Sequence, residues 1–352
     1  MQISCAMTTY NSNPTFLQKQ LDSLRLQERP FDEVIIVDDA STNETVAFLK
    51  NYIREHHLWH WKVLPQRKNA GFVRSFVKAL GATTKDIVFL CDHDDVWHSN
   101  KTKRMSEIFE QNDDLLALAS SFDLIDQEDA SLDMPSDSQK ANHNLIPYPI
   151  TQSLTYMSFH DVRVHNFAPG CTLAVKQSLV KDYLKHADDI DLPHDWALCA
   201  LATLRKPAPN QRQKSLAYLD EALIDYRQHP HNTLGLSRRK TYYSRLEGAH
   251  QDFLEKQSLS YLSQVLFYAP NEQVEMDRIF EVYRKRYEAM RDLNYVSLFW
   301  LIFTSKIPGL WKTLGMDLKV VLPQALKPQK PLPRQTKGQI LHTVQEKAKN
   351  SI

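Results

Sequence analysis

Residues 1–97 alternate short apolar segments with helical patterns, in the order that makes a parallel sheet covered by helices. The segment before Asp92 reads Ile-Val-Phe-Leu-Cys and is apolar at every position, as a strand buried on both faces should be. Strands are predicted at residues 3–7, 33–37, 62–64 and 86–91. Helices are predicted between them, at residues 14–26, 42–54 and 71–80. The pattern therefore predicts an α/β fold.

The pattern changes twice further along the chain. Residues 126–166 are polar and lack periodicity, which favours a long surface loop. Strand and helix patterns then resume, with strands predicted at 167–175 and 216–219 and helices after Gln177 and at 197–204. Beyond residue 237 the pattern becomes purely helical, near 238–256 and 272–293. The chain is therefore predicted to carry a helical appendage.

Composition limits the classes of function. The 352 residues are 42% hydrophobic and 24% charged, which is ordinary for a globular protein. A formal net charge of +1 argues against a nucleic-acid partner. The four cysteines form no Cys-x-x-Cys pair and are predicted to be reduced core residues. No signal-peptide pattern precedes the first strand, so we expect a cytoplasmic protein.

Carboxylates follow two of the predicted strands, and ligands of open α/β sheets bind at the carboxyl ends of strands. Asp92, Asp94 and Asp95 cluster after the fourth strand, where they could hold Mg²⁺ or Mn²⁺ against a diphosphate. They also fit a solvated acidic turn that caps the next helix. Asp39 follows the second strand, where it could bind a ribose or base or could cap a helix.

Positive charge is predicted beside the same edge of the sheet. Lys68, Asn69 and Gly71 precede a helix that carries Arg74 in its first turn, an arrangement that attracts phosphate. A plain solvated loop is an equal alternative. The chain has neither a Gly-x-Gly-x-x-Gly nor a P-loop motif, which removes the usual dinucleotide and P-loop interpretations.

Taken in order, the segments ISCAMTTYN, EVIIVDDAS, RKNAGFVRSF and DIVFLCDHDDVW resemble the donor-binding half of the family 2 glycosyltransferases. The resemblance covers residues 1–235 and implies the GT-A fold, a Rossmann-like mixed sheet flanked by helices. It implies a donor-binding half at 1–97 and an acceptor-binding half at 98–235. A helical appendage at 236–304 and a basic tail at 305–352 would follow.

The resemblance also implies roles for particular residues and a Mn²⁺ or Mg²⁺ cofactor. Asp94 would bind the metal, and Asp195 would be the general base that takes the proton of the acceptor hydroxyl. The nucleotide pocket would be lined by Thr8, Tyr10, Asp39, Asn69, Arg74 and Asp92. The acceptor side would be lined by Gly170, Cys171 and Trp196. Without the upstream motifs, the pattern would favour a helix cap for Asp195 and a core position for Trp196.

The string Tyr-Arg-Gln-His-Pro-His-Asn at residues 226–232 resembles the YRQH-x-x-N ending of the rhamnosyltransferase-like branch of the family. Arg227 or His229 would then reach the diphosphate or its metal when a loop closes. The branch favours dTDP-rhamnose as donor, with a UDP-hexose or UDP-N-acetylhexosamine next, and a saccharide or lipid-linked acceptor in bacterial capsule or O-antigen synthesis. His194 replaces the usual Glu before the base, and the Gln-x-x-Arg-Trp signature of processive synthases is absent. One sugar is therefore expected per acceptor encounter.

Two other functions fit parts of the pattern. A sugar nucleotidyltransferase also combines an α/β sheet with a carboxylate-bound Mg²⁺, but it usually opens with a Gly-rich loop, and ISCAMTTYN has no glycine. A non-catalytic scaffold that retains the fold would be expected to lose Asp94 or Asp195, and both are present.

An apolar run at residues 296–304 is followed by a basic tail. The run is too short to span a bilayer, which needs about 20 residues. It could lie in the interface, with lysines toward anionic headgroups at the inner face of the plasma membrane. Packing on the catalytic domain is the alternative, and attachment to the membrane surface is favoured because a lipid-linked acceptor would be found there. From Ser305 onward only Asp317 and Glu346 are acidic, against the basic residues Lys306, Lys312, Lys319, Lys327, Lys330, Arg334, Lys337, Lys347 and Lys349.

Overall fold

A computed structural model describes residues 1–132, 150–205, 214–229, 242–265, 270–307 and 310–325. Within them the strands are β1 Ile3–Thr9, β2 Glu33–Asp38, β3 Trp61–Pro65, β4 Ile87–Cys91, β5 Val96–Trp97, β6 Ala117–Ile125, β7 Leu154–Met157, β8 Leu173–Lys176 and β9 Leu216–Arg227. The helices are α1 Pro14–Arg25, α2 Thr45–Glu55, α3 Phe72–Ala82, α4 Lys101–Gln111, α5 Phe159–Val162, α6 Gln177–His186, α7 His194–Leu204, α8 Tyr242–Val265, α9 Pro270–Arg291, α10 Tyr295–Thr304 and α11 Leu310–Ala325.

The strands form one mixed sheet in the order β3-β2-β1-β4-β8-β6-β9-β5, and β7 pairs with β9. β1 is parallel to both β2 and β4, and β2 is parallel to β3. β8 lies between β4 and β6 and is antiparallel to both, so it joins the parallel half of the sheet to the remaining strands. The predicted α/β fold with a mixed sheet is confirmed.

The parallel half forms because its central strands are mostly apolar on both faces, whereas the edge strand β3 is only partly buried. Every residue of β1, β2 and β4 is buried, as the continuous apolar pattern predicted. The side chain of Asn13 accepts hydrogen bonds from the backbone of Thr15 and Phe16, and Pro14 occupies the first turn, so the predicted start of α1 is confirmed. In the register, Thr9 pairs with Asp38 and Met7 with Cys91. The polar residues that follow these strands therefore meet at one edge.

The second half of the sheet contains more strand than the pattern predicted. β7 and α5 lie inside the segment expected to be a surface loop, and β6 was not predicted. β9 extends to Arg227 and not to residue 219, because it pairs with β6, β7 and β5 along its length. Within the loop predicted at 126–166, residues 133–149 lie outside the described structure.

The chain divides into two compact units. One contains residues 1–238 and 251–281, and the other contains residues 239–250 and 282–352. The helical appendage predicted at 236–304 is therefore split, with residues 251–281 belonging to the unit that contains the sheet. The predicted tail begins with the folded helix α11, and its basic positions from Lys327 onward lie outside the described residues. No helix in the described segments is long and apolar enough to span a membrane.

Candidate active site

The turn that follows β4 places three carboxylates at the edge of the sheet. Asp95 is fully buried and accepts a hydrogen bond of 3.0 Å from the backbone N–H of Arg227 at the end of β9. Asp92 and Asp95 bring carboxylate oxygens within 4.8 Å of the thiol of Cys171. Cys171 lies in the short 3-10 turn that leads into β8. The turn at 92–95 is therefore joined to both neighbouring parts of the sheet.

The carboxylates of this turn differ in protonation. Burial, together with nearby Asp94 and Asp195, raises the pKa of Asp92 to about 7. Burial also raises the pKa of Asp95 well above its usual range. For Asp94 burial acts in the same direction, but His93 and the hydrogen bond to His229 outweigh it and lower the pKa. Asp94 is therefore the carboxylate of this turn that stays charged at neutral pH.

His229 lies against the acidic turn. Its Nε2 atom is 2.8 Å from Oδ2 of Asp94, and the two side chains are 11% and 15% exposed. The ring of His229 also lies 5.6 Å from the ring of Phe16 in α1. The structure thus brings together two residues that the sequence resemblance assigned to the metal and diphosphate region.

Arg227 holds the same turn from inside the protein. Its Nε donates to the carbonyl of Asp94 at 2.7 Å, and its Nη1 donates to the carbonyl of Asp126 at 2.8 Å. The guanidinium also pairs with Asp129 at 2.6 Å and stacks over Phe16 at 4.5 Å. Arg227 is fully buried, so these contacts support a role in positioning the turn and do not support direct contact with a diphosphate.

Three sets of side chains among the described residues could bind a divalent ion, and one of them, His98, Asp123 and Asp225, lies where β9 pairs with β5 and β6. In the second, Asp92, Asp95 and Cys171, burial raises the pKa of Asp95 and of the thiol, and a thiol is a poor ligand for Mg²⁺ or Mn²⁺. In the third, Asp94 offers a charged carboxylate and His229 an imidazole nitrogen. Carboxylate oxygen suits either ion, and the nitrogen favours Mn²⁺ over the harder Mg²⁺. The third set, with Asp92 beside it, fits the ion better than the second.

Asp39 organises the loop before α3. Its carboxylate accepts hydrogen bonds from the backbone N–H groups of Ala70 at 2.7 Å and Gly71 at 2.8 Å, and from the side chain of Gln66 at 2.8 Å. Gly71 has φ +85°, a conformation that favours glycine. Asp39 is 3% exposed, so the structure supports the capping role that the sequence left open. Asn69, in the same loop, is exposed.

Three further residues of the predicted nucleotide pocket lie at this edge. Thr8 is buried near the end of β1, and Tyr10, which follows the strand, is partly exposed. Arg74 is half-exposed in the first turn of α3, where it forms an ion pair with Asp188. The guanidinium would have to leave Asp188 to meet a phosphate.

Asp195 lies at the start of α7 and is 5% exposed. Burial raises the pKa of its carboxyl to about 6, although hydrogen bonds from the backbone of Trp196 and Gly170 and from the side chain of Asn166 lower it. The bond from the backbone of Trp196 measures 2.7 Å. A carboxylate with a pKa near 6 is ionised at neutral pH and accepts a proton more readily than an exposed Asp.

His194 packs tightly beside this carboxylate. Its ring stacks on Phe76 of α3, with the ring centroids 3.9 Å apart. A Cβ atom at Gly170 would lie 3.0 Å from Nε2 of His194 and 3.7 Å from Cβ of Asp195, so a larger residue would force the ring of His194 to shift. Burial lowers the pKa of His194 to about 3, which leaves the ring neutral. The 3-10 turn, α7 and α3 therefore meet beside Asp195.

Trp196 does not present an open ring to a sugar. It is 4% exposed, its Nε1 donates to the carbonyl of Val162 at 2.6 Å, and the ammonium of Lys256 lies 4.2 Å from the ring centroid. This burial corrects the expectation that Trp196 packs beside the acceptor. The large apolar side chain is held in the core by α5 and α8.

Two contacts of the site were not predicted. The ammonium of Lys101 donates to the carbonyl of Cys171 at 2.7 Å, and burial lowers the pKa of this lysine to about 8. Lys101 shares a helix face with Met105 and Ile108, and this spacing could have indicated that the lysine is buried. The hydrogen bond from Asn166 to Asp195 had no such signal, because it depends on how the chain before β8 folds.

Known proteins share sequence similarity with the part of the chain that contains the parallel strands. Residues 4–169 match the profile of Glycosyl transferase family 2. A glycosyltransferase of Nostoc sp., alr2836, described as uncharacterized, is 30% identical over 136 residues, which are 39% of this chain and 41% of that protein. Protein CgeD of Bacillus subtilis is 28% identical over 123 residues, 34% of this chain and 29% of CgeD. The matches span less than half of these curated relatives.

Solved structures share the fold at low identity. S. aureus TarS 1–349 in complex with UDP has a TM-score of 0.55 and 16% identity, over 95% of each chain. The mannosyltransferase PcManGT from Pyrobaculum calidifontis, solved with GDP-Man and Mn²⁺, has a TM-score of 0.51 and 14% identity, over 94% of this chain and 88% of that one. The mixed sheet flanked by helices, shared with these structures, is the GT-A fold. Residues 4–169 match glycosyltransferase family 2, the family that the sequence motifs resemble.

Proposed function

We propose that the protein is an inverting, metal-dependent glycosyltransferase. It would transfer one sugar from a nucleotide diphosphate sugar to a saccharide or lipid-linked acceptor. The observation that carries this proposal is the proximity of Asp195 to the acidic turn at 92–95. Asp195 raises the pKa of Asp92, and it lies beside Gly170 in the 3-10 turn whose Cys171 touches Asp92 and Asp95. Carboxylates remote along the chain thus converge at one edge of the sheet.

Asp195 is proposed as the general base. It would accept the proton of an acceptor hydroxyl while that oxygen forms a bond to the anomeric carbon of the donor. The bond from the anomeric carbon to the diphosphate breaks, and its electron pair leaves with the nucleoside diphosphate. Attack from the face opposite the nucleotide inverts the configuration and needs a single base. The pKa of about 6 keeps Asp195 deprotonated and yet basic enough for this step.

Asp94 and His229, with Asp92 beside them, are proposed to hold Mn²⁺ or Mg²⁺. The bound ion would offset the charge that develops on the leaving diphosphate. Arg227 would keep the 92–95 turn in place through its bond to the carbonyl of Asp94. The imidazole of His229 and the carboxylate of Asp94 lie 2.8 Å apart, so both side chains would be in place to hold the ion.

The nucleotide is proposed to lie between the ends of β1 and α3, near Thr8, Tyr10, Asn69 and Arg74. Asp39 acts here mainly by holding the loop at 70–71 in place. The acceptor side is proposed to lie near the 3-10 turn at Gly170 and Cys171, although both residues are buried and Gly170 packs against His194.

The donor is proposed to be dTDP-rhamnose, which the motif from Tyr226 favours, with a UDP-hexose or UDP-N-acetylhexosamine next. The second choice has support from TarS, which was solved with UDP-GlcNAc. Because such donors are made in the cytoplasm, we place the reaction there, at the inner face of the membrane, in the synthesis of a surface polysaccharide such as capsule or O-antigen. The four cysteines are buried and free, in keeping with a reducing compartment.

Donor hydrolysis tests this proposal without a known acceptor. The full chain is incubated with Mn²⁺ and, separately, with dTDP-rhamnose, UDP-glucose, UDP-GlcNAc and GDP-mannose, and free nucleoside diphosphate is measured. Slow release from one donor, abolished by EDTA and by Asp94→Ala, supports a glycosyltransferase. Pyrophosphate-dependent exchange would identify a sugar nucleotidyltransferase. No binding or turnover of any donor would indicate a non-catalytic scaffold.

A further inference from the structure

Helix α10 exposes one apolar face. Val296 is 50% exposed, Phe299 51%, Trp300 61% and Phe303 65%, and this spacing places all four on one side of the helix. Leu298 and Leu301, on the other side, are buried. Surface apolar residues are ordinary when they are isolated, whereas a contiguous group of large ones marks an interaction site.

The start of helix α11 also exposes an aromatic side chain, with a lysine beside it. Trp311 is 56% exposed, and the ammonium of Lys312 lies 5.6 Å from the centroid of its ring. Lys306 precedes the helix, and Lys319 lies two turns beyond Lys312; all three lysines are exposed. Lysines with long aliphatic stems beside exposed aromatic rings suit a boundary between an apolar layer and charged groups.

Acidic charge is nearly absent from this region. Between Asn294 and Ala325 the sequence contains one acidic residue, Asp317, and it is fully buried. Asp317 accepts hydrogen bonds of 2.7 Å from Arg245 and from Arg286, so its charge is already balanced. The surface charge of α10 and α11 is therefore positive only.

We propose that α10 and the first turn of α11 form an insertion face that binds the surface of an anionic lipid bilayer. The aromatic side chains would enter the region between headgroups and acyl chains, and the lysines would contact the phosphates. α10 has 10 residues and is about 15 Å long, against a hydrocarbon core of about 30 Å, so it would lie in the plane of the interface. This inference goes beyond the proposed sugar transfer and does not depend on it.

Charge favours lipid over a second copy of the chain. A two-fold dimer through this face would bring the same lysines of both copies together, without acidic partners on these helices. An anionic bilayer offers the opposite charge over the whole face. Each lysine near such a surface contributes about fivefold to the binding constant.

Vesicle binding tests the proposal. The full chain is sedimented with vesicles of phosphatidylglycerol and phosphatidylcholine, and with vesicles of phosphatidylcholine alone, at low and high salt. We expect binding to the anionic vesicles that weakens with salt. The triple substitution Phe299→Ser, Trp300→Ser and Phe303→Ser should lower the binding constant at least tenfold. Replacing Lys306, Lys312 and Lys319 with Gln should lower it by about a hundredfold.

Matched controls come from the other unit. Trp59 is 70% exposed and is the control for the aromatic residues as Trp59→Ser. Lys50→Gln, Lys62→Gln and Lys181→Gln, all at exposed positions, are the control for the lysines. With lipids brominated in the acyl chains, tryptophan quenching should decrease in a Trp300→Phe, Trp311→Phe variant and persist in Trp59→Phe. Circular dichroism of each variant checks that the helices are retained.

Three results would overturn the proposal. The wild type could remain unbound with both vesicle types, or the control substitutions could weaken binding as much as those in α10 and α11. Alternatively, the chain could form a dimer in light scattering that the triple serine variant disrupts, with no vesicle binding. That last result would assign the face to a contact between copies.

Discussion

The Nε2 atom of His229 lies 2.8 Å from Oδ2 of Asp94, although 135 residues separate them in the chain. The contact joins the end of β9 to the turn after β4, at the edge where the carboxylates of the site converge. A second pair of the same type, His98 with Asp225 at 3.0 Å, connects the end of β5 to β9, and with Asp123 it forms another group that could hold an ion. If the first pair binds a metal ion, the two should respond differently to the same substitution.

His229→Ala should raise the Mn²⁺ concentration needed for half-maximal donor hydrolysis. Loss of partners around metal sites typically costs about 10–100-fold in affinity, and loss of a ligand should cost at least that much. Asp94→Ala should likewise weaken metal-dependent binding of the donor. His98→Ala tests the competing group of His98, Asp123 and Asp225, and it should leave the metal dependence unchanged if the ion binds at Asp94 and His229. Full activity of the wild type in EDTA, or equal effects of the two histidine substitutions, would show that the metal role is wrong.

Asp195→Asn should abolish transfer and leave nucleotide binding nearly intact. A positioned general base contributes about 10²–10⁴-fold to the rate, and the amide cannot accept the proton. Calorimetry with the nucleoside diphosphate measures binding, and product formation measures transfer. Asp191→Asn, four residues earlier and exposed, is the control. Turnover of Asp195→Asn close to that of the wild type would remove Asp195 from the mechanism.

The rate should fall on the acidic side with a midpoint near pH 6. Burial raises the pKa of Asp195 from the ordinary 3.8 to about 6, and only the deprotonated carboxylate can act as a base. Below that pH, kcat/KM should decrease about tenfold per unit. The profile is measured at saturating Mn²⁺, because a cation beside Asp92 should lower the pKa of that second carboxyl. A midpoint near 4 would mean that the base is an exposed carboxyl and not Asp195.

The parallel half of the fold could be predicted because its central strands are mostly apolar, with β4 apolar at every position, and because α1 begins at a recognisable cap. The same signals are weaker in β6, where Ser120, Ser121 and Asp123 interrupt the apolar pattern. This strand forms because β8 and β9 lie on its two sides, a tertiary cause that local pattern does not contain. Strands that depend on partners remote in sequence are therefore the ones that were missed.

The site shows the same limit at the level of single residues. Asp94 and Asp195 could be proposed from chain-local motifs, since carboxylates at strand and helix ends are visible in sequence. The surroundings of the site side chains could not be predicted, because they depend on residues that are remote in the sequence and pack against the site. Asp39 is committed to the backbone of the 70–71 loop, and Trp196 lies beneath Lys256. The sequence could therefore indicate which residues belong to the site, but it could not indicate whether their side chains are free to contact a ligand.

Gly170→Ala should disturb the site, whereas Gly81→Ala should not. The new Cβ at Gly170 would lie 3.0 Å from His194, and excess volume in a packed core costs about 1–3 kcal/mol. At Gly81, inside α3, the nearest atom is Cδ1 of Leu184 at an ordinary 3.8 Å, so alanine should stabilise the helix by about 0.5–1 kcal/mol. Urea denaturation measures both. In Gly170→Ala/His194→Ala the penalties should be less than additive, and strict additivity would contradict the contact.

Asp317→Ala should strongly destabilise the unit that contains α10 and α11. Asp317 is fully buried and balances Arg245 and Arg286, and breaking such a buried pair costs about 3–5 kcal/mol. Asp292→Ala removes a carboxylate that is 58% exposed beside Arg291 and should cost less than about 1 kcal/mol. Removing residues from 305 onward would delete α11 and Asp317 together with the basic tail. Truncation after residue 325 retains both and therefore tests the contribution of the tail alone. Equal loss of unfolding free energy in the two Asp variants would show that the buried cluster does not stabilise this unit.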